Sequence, residues 1–270
     1  MTDQHTDATP RTITDFGDQW QRFRDNDGYY ASNEMFADIV APFLTPADFE
    51  NSKVAELGSG SGRIVGMLLK AGASHVTAVE PSDAFYVLEE NLGKAEGEQV
   101  TLIHDTAERL PEGEYDFVLS IGVIHHIPEP DPAIARAFGC LKKGGRVLIW
   151  LYGKEGNSAY LSVVLPLRKI TSRLPDWTLM ALSHILTAFL SVYAALCHVF
   201  PLPMRKYMRD VISRYPWRHR MLTVFDQLNP EYAKYYARQE AEALLERAGF
   251  ADVQSFNRHG YSWLVTGTKA

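Results

Sequence analysis

The feature that most limits what this chain can fold into is a glycine loop between an apolar run and a helical pattern. Residues 54–64 read Val-Ala-Glu-Leu-Gly-Ser-Gly-Ser-Gly-Arg-Ile, with glycines at alternate positions. Glycines directly after a first strand let the backbone approach a ligand without side-chain clash. Glu80 closes the next apolar run, where a carboxylate can accept hydrogen bonds from both hydroxyls of a ribose. The pattern predicts a nucleoside-type cofactor at the carboxyl ends of the strands of an α/β sheet.

Strand-like and helix-like patterns alternate over the first half of the chain. Apolar runs predict strands at residues 53–57, 75–79, 100–104, 115–120 and 146–152, and helical patterns fall at 62–71, 82–93 and 131–141. The run at 115–120 is nearly continuous, which is typical of a central parallel strand. This alternation predicts βαβ units around a parallel sheet, joined by right-handed crossovers.

The second half of the chain breaks this alternation. Residues 157 to about 230 have a Leu-rich and Arg-rich helical pattern, which we expect prolines 166, 175, 201, 203 and 216 to divide. A helix at 239–248, ended by Gly249, then precedes strands at 251–257 and 261–266. The short His259-Gly260 turn between those strands predicts an antiparallel hairpin. The chain is therefore predicted to be a sheet domain interrupted by a helical cap.

Composition favours one α/β domain with an insertion. The 270 residues are 46% hydrophobic, enough for a substantial core, and the net charge of −6 disfavours general affinity for nucleic acid. Cys140 and Cys197 stand in no metal or redox spacing and no leader pattern is visible, so we expect a reducing cytoplasm and no metal site. Residues 1–12 are polar and are expected to be disordered.

Residues 177–204 contain no Asp, Glu, Lys or Arg, a length that could span a bilayer. Two stripes argue for an amphipathic helix instead: His184, Thr187, Ser191 and His198 on one, and Leu182, Leu186, Phe189, Tyr193 and Leu196 on the other. Three interpretations stay open, namely a cap or dimer helix, a membrane-surface helix and a span. Arg205, Lys206, Arg209, Arg214, Arg218 and Arg220 make the far end of the cap basic, which fits a solvated face, an anionic substrate or an acidic lipid surface.

The motifs together resemble the class I S-adenosylmethionine-dependent methyltransferases. The first motif of that family matches residues 54–62, and its acidic second motif matches Ala78-Val79-Glu80-Pro81. The third matches 104–108, and the fourth matches 115–120 running into 122–127. Residues 141–146 resemble the turn into the family's fifth strand, and the final hairpin resembles its reversed seventh strand.

The resemblance implies a Rossmann-like three-layer α/β sandwich. Its seven-stranded, mostly parallel sheet would end in an antiparallel C-terminal hairpin and carry a helical cap. Residues 1–50 would form an N-terminal lid, 51–156 with 238–270 the cofactor-binding core, and 157–237 the cap. Residues 16–23 are similar to a lid signature of bacterial small-molecule methyltransferases. Residues 150–157, 166–168 and 225–228 are similar to a branch of the family with a long cap.

The resemblance also implies the cofactor, S-adenosyl-L-methionine, which leaves as S-adenosyl-L-homocysteine. Gly58, Ser59 and Gly60 would lie close to its methionine part and ribose, and Glu56 would orient that loop and meet the amino group. The ribose would be held at Glu80 and Pro81. The remaining cofactor-binding candidates are Asp105 and Thr106 at the adenine, Ser120 and Gly122 along the methionine side, and Trp20 as a cover from the lid.

Methyl transfer from a sulfonium is an in-line displacement, in which the protein mainly supplies proximity, alignment and water exclusion. A base is needed only if the acceptor must lose a proton. His125 and His126, after the fourth strand, and Tyr152, after the fifth, are the candidates for a base or for orienting the acceptor. The alternative for the His pair is a structural role in the loop. Asp226 and Gln227, where the cap returns to the core, either face the pocket or cap a turn.

The expected partner is a small-molecule acceptor, methylated on oxygen or nitrogen, and no nucleic acid. An alternative is a lipid-linked or macromolecular substrate at a membrane surface, with peripheral membrane contact or a homodimer through the 177–204 helix. A nicotinamide-dependent oxidoreductase is disfavoured because the G-x-G-x-x-G spacing is missing. A non-catalytic cofactor-binding protein is disfavoured by the intact motif set.

Overall fold

A seven-stranded sheet forms the centre of the molecule. The structure is a computed structural model that describes residues 8–93, 99–230 and 232–270. The strands are β1 (Lys53–Leu57), β2 (His75–Val79), β3 (Val100–Ile103), β4 (Tyr115–Ile121), β5 (Leu141–Tyr152), β6 (Ala251–Arg258) and β7 (Ser262–Thr268). Their spatial order is β3-β2-β1-β4-β5-β7-β6. The neighbouring pairs among β1 to β5 are parallel, and β7 runs antiparallel to both β5 and β6.

Helices cover both faces of this sheet. They are α1 (Ala8–Arg22), α2 (Asn33–Val40), α3 (Arg63–Lys70), α4 (Ala84–Leu92), α5 (Asp131–Cys140), α6 (Ser158–Thr171), α7 (Asp176–Val199), α8 (Arg205–Asp210), α9 (Trp217–Leu228) and α10 (Arg238–Arg247). Successive strand residues point to opposite faces. Val54 and Leu148 therefore join the core under α3 and α4, while Ala55 and Val147 join the core under α5 and α10. The three-layer, Rossmann-like fold expected from the sequence is confirmed.

The strand order reverses beside β1, and this reversal places a crevice at the end of that strand. From β1 the chain moves outward through α3 to β2 and β3, and it then returns to the other side of β1 as β4. Ligands of open α/β sheets bind at such a switch point. The backbone N–H groups of Gly58 and Ser59 donate to the Val79 carbonyl at 2.8 and 3.0 Å, which anchors the glycine loop at the crevice.

Most predicted strands agree with the structure to within two residues at each end, and three expectations need correction. β5 begins at Leu141 rather than at 146, with a register irregularity against β4, so Gly144-Gly145 lies inside the strand. Pro166 lies within α6 and does not divide it. α1 begins at Ala8, so disorder up to residue 12 was wrong for residues 8–12. Residues 1–7 lie outside the described residues.

α6 to α9 extend the α3 side of the molecule, and α7 matches the sequence expectation only in part, since three of the five residues of the expected apolar stripe pack against the core. The small hydroxyl residues Ser183 and Thr187 are buried, whereas Phe189 and Leu196 of the expected apolar stripe are exposed. Thr187 Oγ1 donates to the Ser183 carbonyl at 2.6 Å, and Ser191 Oγ donates to the Thr187 carbonyl at 2.8 Å. Because the helix itself accepts these hydroxyl protons, the small side chains can face the protein and allow close packing.

Within the described residues, α7 supplies the one stretch long and apolar enough to cross a membrane by length and composition. That stretch is Trp177–Val199, with a mean hydropathy of 1.8, and 22% of its most apolar window is buried in the protein. Its inner side packs into the same core as one sheet face, through buried Leu179, Ala194 and Cys197. A helix with one side in a protein core is weak evidence for a span.

Candidate active site

A first cavity opens at the carboxyl ends of β1, β2 and β4. It encloses about 1070 Å³ of empty volume including its mouth. Its walls come from the glycine loop, the β2, β3 and β4 ends, α1 and one residue of α9. The lining residues are Thr12, Ile13, Phe16, Trp20, Glu56, Gly58, Ser59, Gly60, Ser61, Arg63, Ile64, Glu80, Pro81, Ser82, Thr106, Ala107, Glu108, Ile121, Gly122, Val123, His126, Ile127 and Asp226.

Two glycines make the close walls of this cavity possible. Gly58 has φ +75°, and a Cβ added there would meet Val123 Cγ2 at 2.5 Å. Gly60 has φ +52°, and a Cβ there would meet the Trp20 Nε1 at 3.0 Å. Both backbone conformations are in the left-handed region that glycine adopts without strain. A larger residue at either position would therefore be strained and would push on the side chain opposite.

Glu80 is held by donors from two loops. Its Oε2 accepts from the Gly60 N–H at 2.7 Å, and its Oε1 accepts from the Ser82 N–H at 3.0 Å and the Ser82 hydroxyl at 2.6 Å. Burial raises the pKa of Glu80, and the bonds from Ser82 and Gly60 oppose that rise. An ionised carboxylate offers about four acceptor positions. With three in use, Glu80 retains capacity for a ribose hydroxyl.

Glu56 supplies the test of whether the cavity fits the expected cofactor. Its Oε2 is buried and has no hydrogen-bond partner among the described residues, and burial raises the pKa of Glu56 to about 8. Thr12 Oγ1, from the α1 part of the same lining, is likewise buried without a partner in the described part of the chain. Buried polar atoms are normally paired. A ligand with an ammonium and polar tail therefore fits this end of the cavity.

α1 covers the cavity with one of its faces. Thr12, Ile13, Phe16 and Trp20 follow a helical spacing and all line the cavity. The helix is tied to α9 and to the residue that follows it: Gln19 Nε2 donates to Asp226 Oδ1 at 3.0 Å, and Asn229 Nδ2 donates to the Asp15 carbonyl at 2.9 Å. α1 therefore shields the cavity from water while linking it to the α6–α9 segment.

A second cavity of about 900 Å³, open volume included, lies directly beside the first. Trp20, Arg63, Ile121, Gly122 and Asp226 line both cavities, so the two meet at these five residues. The remaining walls are largely aromatic and aliphatic. They consist of Tyr30, Met35, Ile39, Trp150, Tyr152, Tyr207, Val211, Tyr215, Leu222, Thr223, Gln227, Arg258 and Tyr261.

A hydrogen-bond network fixes Asp226 at this meeting point. The Tyr152 hydroxyl donates to Asp226 Oδ2 at 2.7 Å and accepts from Gln227 Nε2 at 2.7 Å. With the bond from Gln19, each oxygen of the Asp226 carboxylate has a donor. Burial, followed by the negative charge of Asp226, raises the pKa of Tyr152 well above its usual value. Tyr152 therefore stays protonated and acts as a hydrogen-bond donor to the carboxylate.

Two donors on the second cavity's wall have no hydrogen-bond or ion-pair partner among the described residues. Trp150 Nε1 is buried and unpaired, and no carboxylate in the described part of the chain forms an ion pair with Arg63. The Arg63 guanidinium lies 4.2 Å from the centre of the Tyr30 ring, which also stacks on His219 with centroids 4.3 Å apart. The cavity thus combines aromatic walls with a fixed cation.

The two neighbouring histidines occupy different environments. His126 lines the first cavity, and its Nδ1 lies 2.8 Å from the Tyr232 carbonyl. Since a carbonyl accepts, Nδ1 carries the proton and Nε2 has a free lone pair. Burial lowers the pKa of His126 to about 4. His125 is fully buried against Tyr152, with centroids 3.9 Å apart, and burial lowers its pKa well below the usual value.

The structure brings most of the predicted site residues together. Nine predicted cofactor-binding residues line the first cavity: Trp20, Glu56, Gly58, Ser59, Gly60, Glu80, Pro81, Thr106 and Gly122. Three predicted residues lie outside both linings. Asp105 is exposed and accepts from the Thr106 N–H at 2.7 Å, Ser120 Oγ donates to the Leu57 carbonyl at 3.2 Å, and His125 lies behind Tyr152. His126 and Tyr152 line the first and second cavity, respectively.

The sequence prediction missed Arg63, Gln19 and Trp150. Arg63 is the first residue of the helix after the glycine loop, a position that faces ligands in this kind of fold. Its place in the motif is the signal from which Arg63 could have been predicted. Gln19 and Trp150 gave no comparable signal, because their importance depends on Asp226 and on the second cavity. Asp226 itself, left open by the sequence, faces both cavities.

Comparison with known proteins gives consistent matches in the core. Residues 55–149 match a family model described as a methyltransferase domain. Over 115 residues the chain is 31% identical to a tRNA U34 carboxymethyltransferase of a Shewanella species, covering 42% of this chain and 34% of that protein. Over 136 residues it is 29% identical to a ubiquinone biosynthesis O-methyltransferase of Aromatoleum aromaticum, covering 49% and 57%. The chain therefore spans between about a third and somewhat over half the length of these relatives.

Two solved structures share the fold. Magnesium protoporphyrin IX methyltransferase from Synechocystis PCC 6803 with bound S-adenosylmethionine is similar with a TM-score of 0.54 and 15% identity, over 100% of this chain and 99% of that one. Human N-acetylserotonin methyltransferase in complex with the same cofactor gives a TM-score of 0.54 and 14% identity, over 94% and 56%. At these identities the likeness concerns the fold.

Proposed function

Because this chain belongs to the class I S-adenosylmethionine-dependent methyltransferases, we propose that it transfers a methyl group from the first cavity to a small-molecule acceptor in the second. The observation that carries this proposal is the shared wall, since five residues line both cavities. A donor and an acceptor that meet there need no intermediate carrier, and holding them in line supplies much of the rate enhancement.

The first cavity holds the cofactor through residues of this chain. S-adenosylmethionine supplies a methyl group already activated by the positive sulfonium. Glu80 accepts from the ribose, and the unpaired Oε2 of Glu56 accepts from the ammonium group of the methionine part. Gly58 and Gly60 let the backbone come close to the ligand, while Trp20 closes the cavity from α1.

Asp226 is the group that accepts a proton from the acceptor. Its carboxylate lies where the cavities meet, and Tyr152 and Gln19 hold it in place without neutralising it. Carboxylates fixed in this way act as general bases when a hydroxyl or protonated amine must lose a proton. His126, which lines only the first cavity, presents a neutral Nε2 lone pair to that cavity.

The second cavity supports a ring-containing acceptor with an acidic group. Its aromatic walls suit a flat apolar body. The unpaired Trp150 N–H and the Arg63 guanidinium offer donors to a carboxylate or a comparable oxyanion. The acceptors in the names of the relatives differ from one another, a tRNA base and a ubiquinone precursor, and the matches cover mainly the cofactor-binding core.

The experiment is transfer of radioactive methyl groups from labelled S-adenosylmethionine to a panel of hydroxylated aromatic carboxylic acids and their methyl esters. We expect labelling of at least one free acid, and a much higher KM for its ester. The Arg63→Met variant should lose this preference while it still binds S-adenosylhomocysteine. Equal use of acid and ester by the native protein would contradict the acceptor class, and absence of cofactor binding would contradict the reaction itself.

A further inference from the structure

The outward face of α7 is apolar over its whole length. Its exposed side chains include Trp177 at 75%, Phe189 at 68% and Val199 at 73% exposure, together with Ile185, Val192 and Leu196. From residue 185 onward these positions follow a spacing of three or four, so they form one stripe on a helix about 36 Å long. A surface helix normally presents charged and polar residues to water. A continuous apolar stripe of this size marks an interaction surface.

The opposite side of α7 is already occupied by the protein. Leu179, Ala194 and Cys197 are buried in the core that α8 and α9 share with the sheet. The inward hydroxyl residues Ser183 and Thr187 are buried as well. A helix fixed along one side cannot be surrounded by lipid, which excludes a simple transmembrane orientation for the folded chain. The surface available for a partner is the outward stripe alone.

The charge around α7 contrasts with that of the rest of the molecule. Residues 158–220 contain nine Lys and Arg against two Asp, a charge of +7 in a chain of net −6, so the remainder carries −13. Lys169 and Arg173 precede α7, and Lys206 and Arg209 follow it, and all four are exposed. None of the four forms an ion pair with another described residue.

We propose that the outward stripe of α7 docks on the surface of an anionic lipid bilayer. The apolar side chains lie at the boundary between head groups and acyl chains, and the flanking cations contact the lipid phosphates. Charge complementarity selects this partner. In a two-fold dimer through the same stripe, each copy would bring the four unpaired cations that flank its α7 against those of the other, and the like charges would repel.

Docking through α7 would bring the second cavity close to the bilayer. α8 and α9, which pack on α7, bear Tyr207, Leu222 and Thr223 of that cavity's wall. Docking does not depend on methyl transfer, so the test measures lipid binding and needs no enzyme assay.

The test is flotation of the full chain with phosphatidylglycerol–phosphatidylcholine vesicles, compared with vesicles of phosphatidylcholine alone. We expect the protein to float with the anionic vesicles, and Phe189→Glu to lower the bound fraction about tenfold or more, because it puts a charge into the apolar boundary. Phe256→Glu, at a 42% exposed apolar position on β6, is the matched control and should bind as the native chain does. Lys206→Glu with Arg209→Glu should remove the preference for anionic lipid.

Thermal unfolding followed by circular dichroism checks that each variant is folded, since it reports no binding function. Failure of the native chain to float with anionic vesicles would overturn the proposal. So would equal flotation of Phe189→Glu and Phe256→Glu. A concentration-dependent dimer in light scattering that Phe189→Glu dissociates would overturn it in favour of a second copy of the chain.

Discussion

The two cavities are assembled from the chain in different ways. The first is built mostly from the loops after β1 to β4, residues 56–127, with α1 and Asp226 added. The second takes its walls from residues between Trp20 and Tyr261, and no single stretch dominates it. In the first, backbone groups and glycine conformations set the shape. In the second, side chains brought together by packing do so.

This difference explains why the cofactor cavity can be recognised from short motifs and the acceptor cavity cannot. A glycine that must adopt positive φ, as Gly58 and Gly60 do, leaves a local mark in the sequence. Trp150 leaves none, because its role depends on which helices pack over it. Asp226 lines both cavities, so the cavity shaped by backbone and the cavity shaped by side chains meet at this residue.

The largest expected effect is at Asp226. We expect Asp226→Asn to lower kcat by about 10²- to 10⁴-fold, the usual contribution of a general base, because an amide cannot accept the proton. The affinity for S-adenosylhomocysteine should change less than about fivefold. Asp210→Asn, an exposed carboxylate at the end of α8, is the control and should leave kcat unchanged. Equal kcat for Asp226→Asn and the native enzyme would show that Asp226 is not a general base and that proximity alone causes the rate enhancement.

A smaller effect is expected at Gly58, within the backbone-built cavity. Gly58→Ala should lower the free energy of unfolding by about 2–4 kcal/mol, from positive-φ strain and contact with Val123. It should also weaken cofactor binding. Gly66→Ala is the control, because an added Cβ in α3 meets nothing within 4 Å and should be neutral or slightly stabilising. Denaturant titration of both variants measures this difference, and similar stabilities would refute the packing argument.

The smallest predicted effect is a pH dependence of cofactor binding through Glu56. Its pKa of about 8 means that it is mostly protonated at pH 7. Pairing with the cofactor's ammonium requires the carboxylate, so affinity should fall about tenfold for each pH unit below 8. Above about pH 8 Glu56 is mostly ionised, so the affinity should level off there.

Calorimetry in two buffers of different ionisation enthalpy measures this proton. At pH 7 binding of S-adenosylhomocysteine should release about one proton from the native protein, and none from Glu56→Gln. Gln has nearly the same shape as Glu, so Glu56→Gln removes the titrating proton with little change in packing. Equal proton release by the two proteins would show that Glu56 does not face the ammonium.

The sequence predicted the sheet, the C-terminal hairpin and the glycine loop because those features depend on local patterns. It was right for only part of α7: Leu182, Leu186 and Tyr193 of the predicted apolar stripe pack against the core, whereas Phe189 and Leu196 are exposed. Thr187 donates its hydroxyl proton to the Ser183 carbonyl and faces inward, while Phe189 is exposed. Asp105 and Ser120 were expected at the cofactor from the motifs, but in the structure their side chains bond to the backbone nearby.

A calorimetric titration with S-adenosylhomocysteine, of the native protein and of Glu80→Ala side by side, tests most directly whether the first cavity holds the cofactor. We expect one binding site per chain in the native protein. We expect binding weaker by about 1–3 kcal/mol in Glu80→Ala, the cost of removing a buried acceptor from its donors. Unchanged affinity in Glu80→Ala, or no binding by the native protein at millimolar ligand, would contradict the assignment of the first cavity to the cofactor.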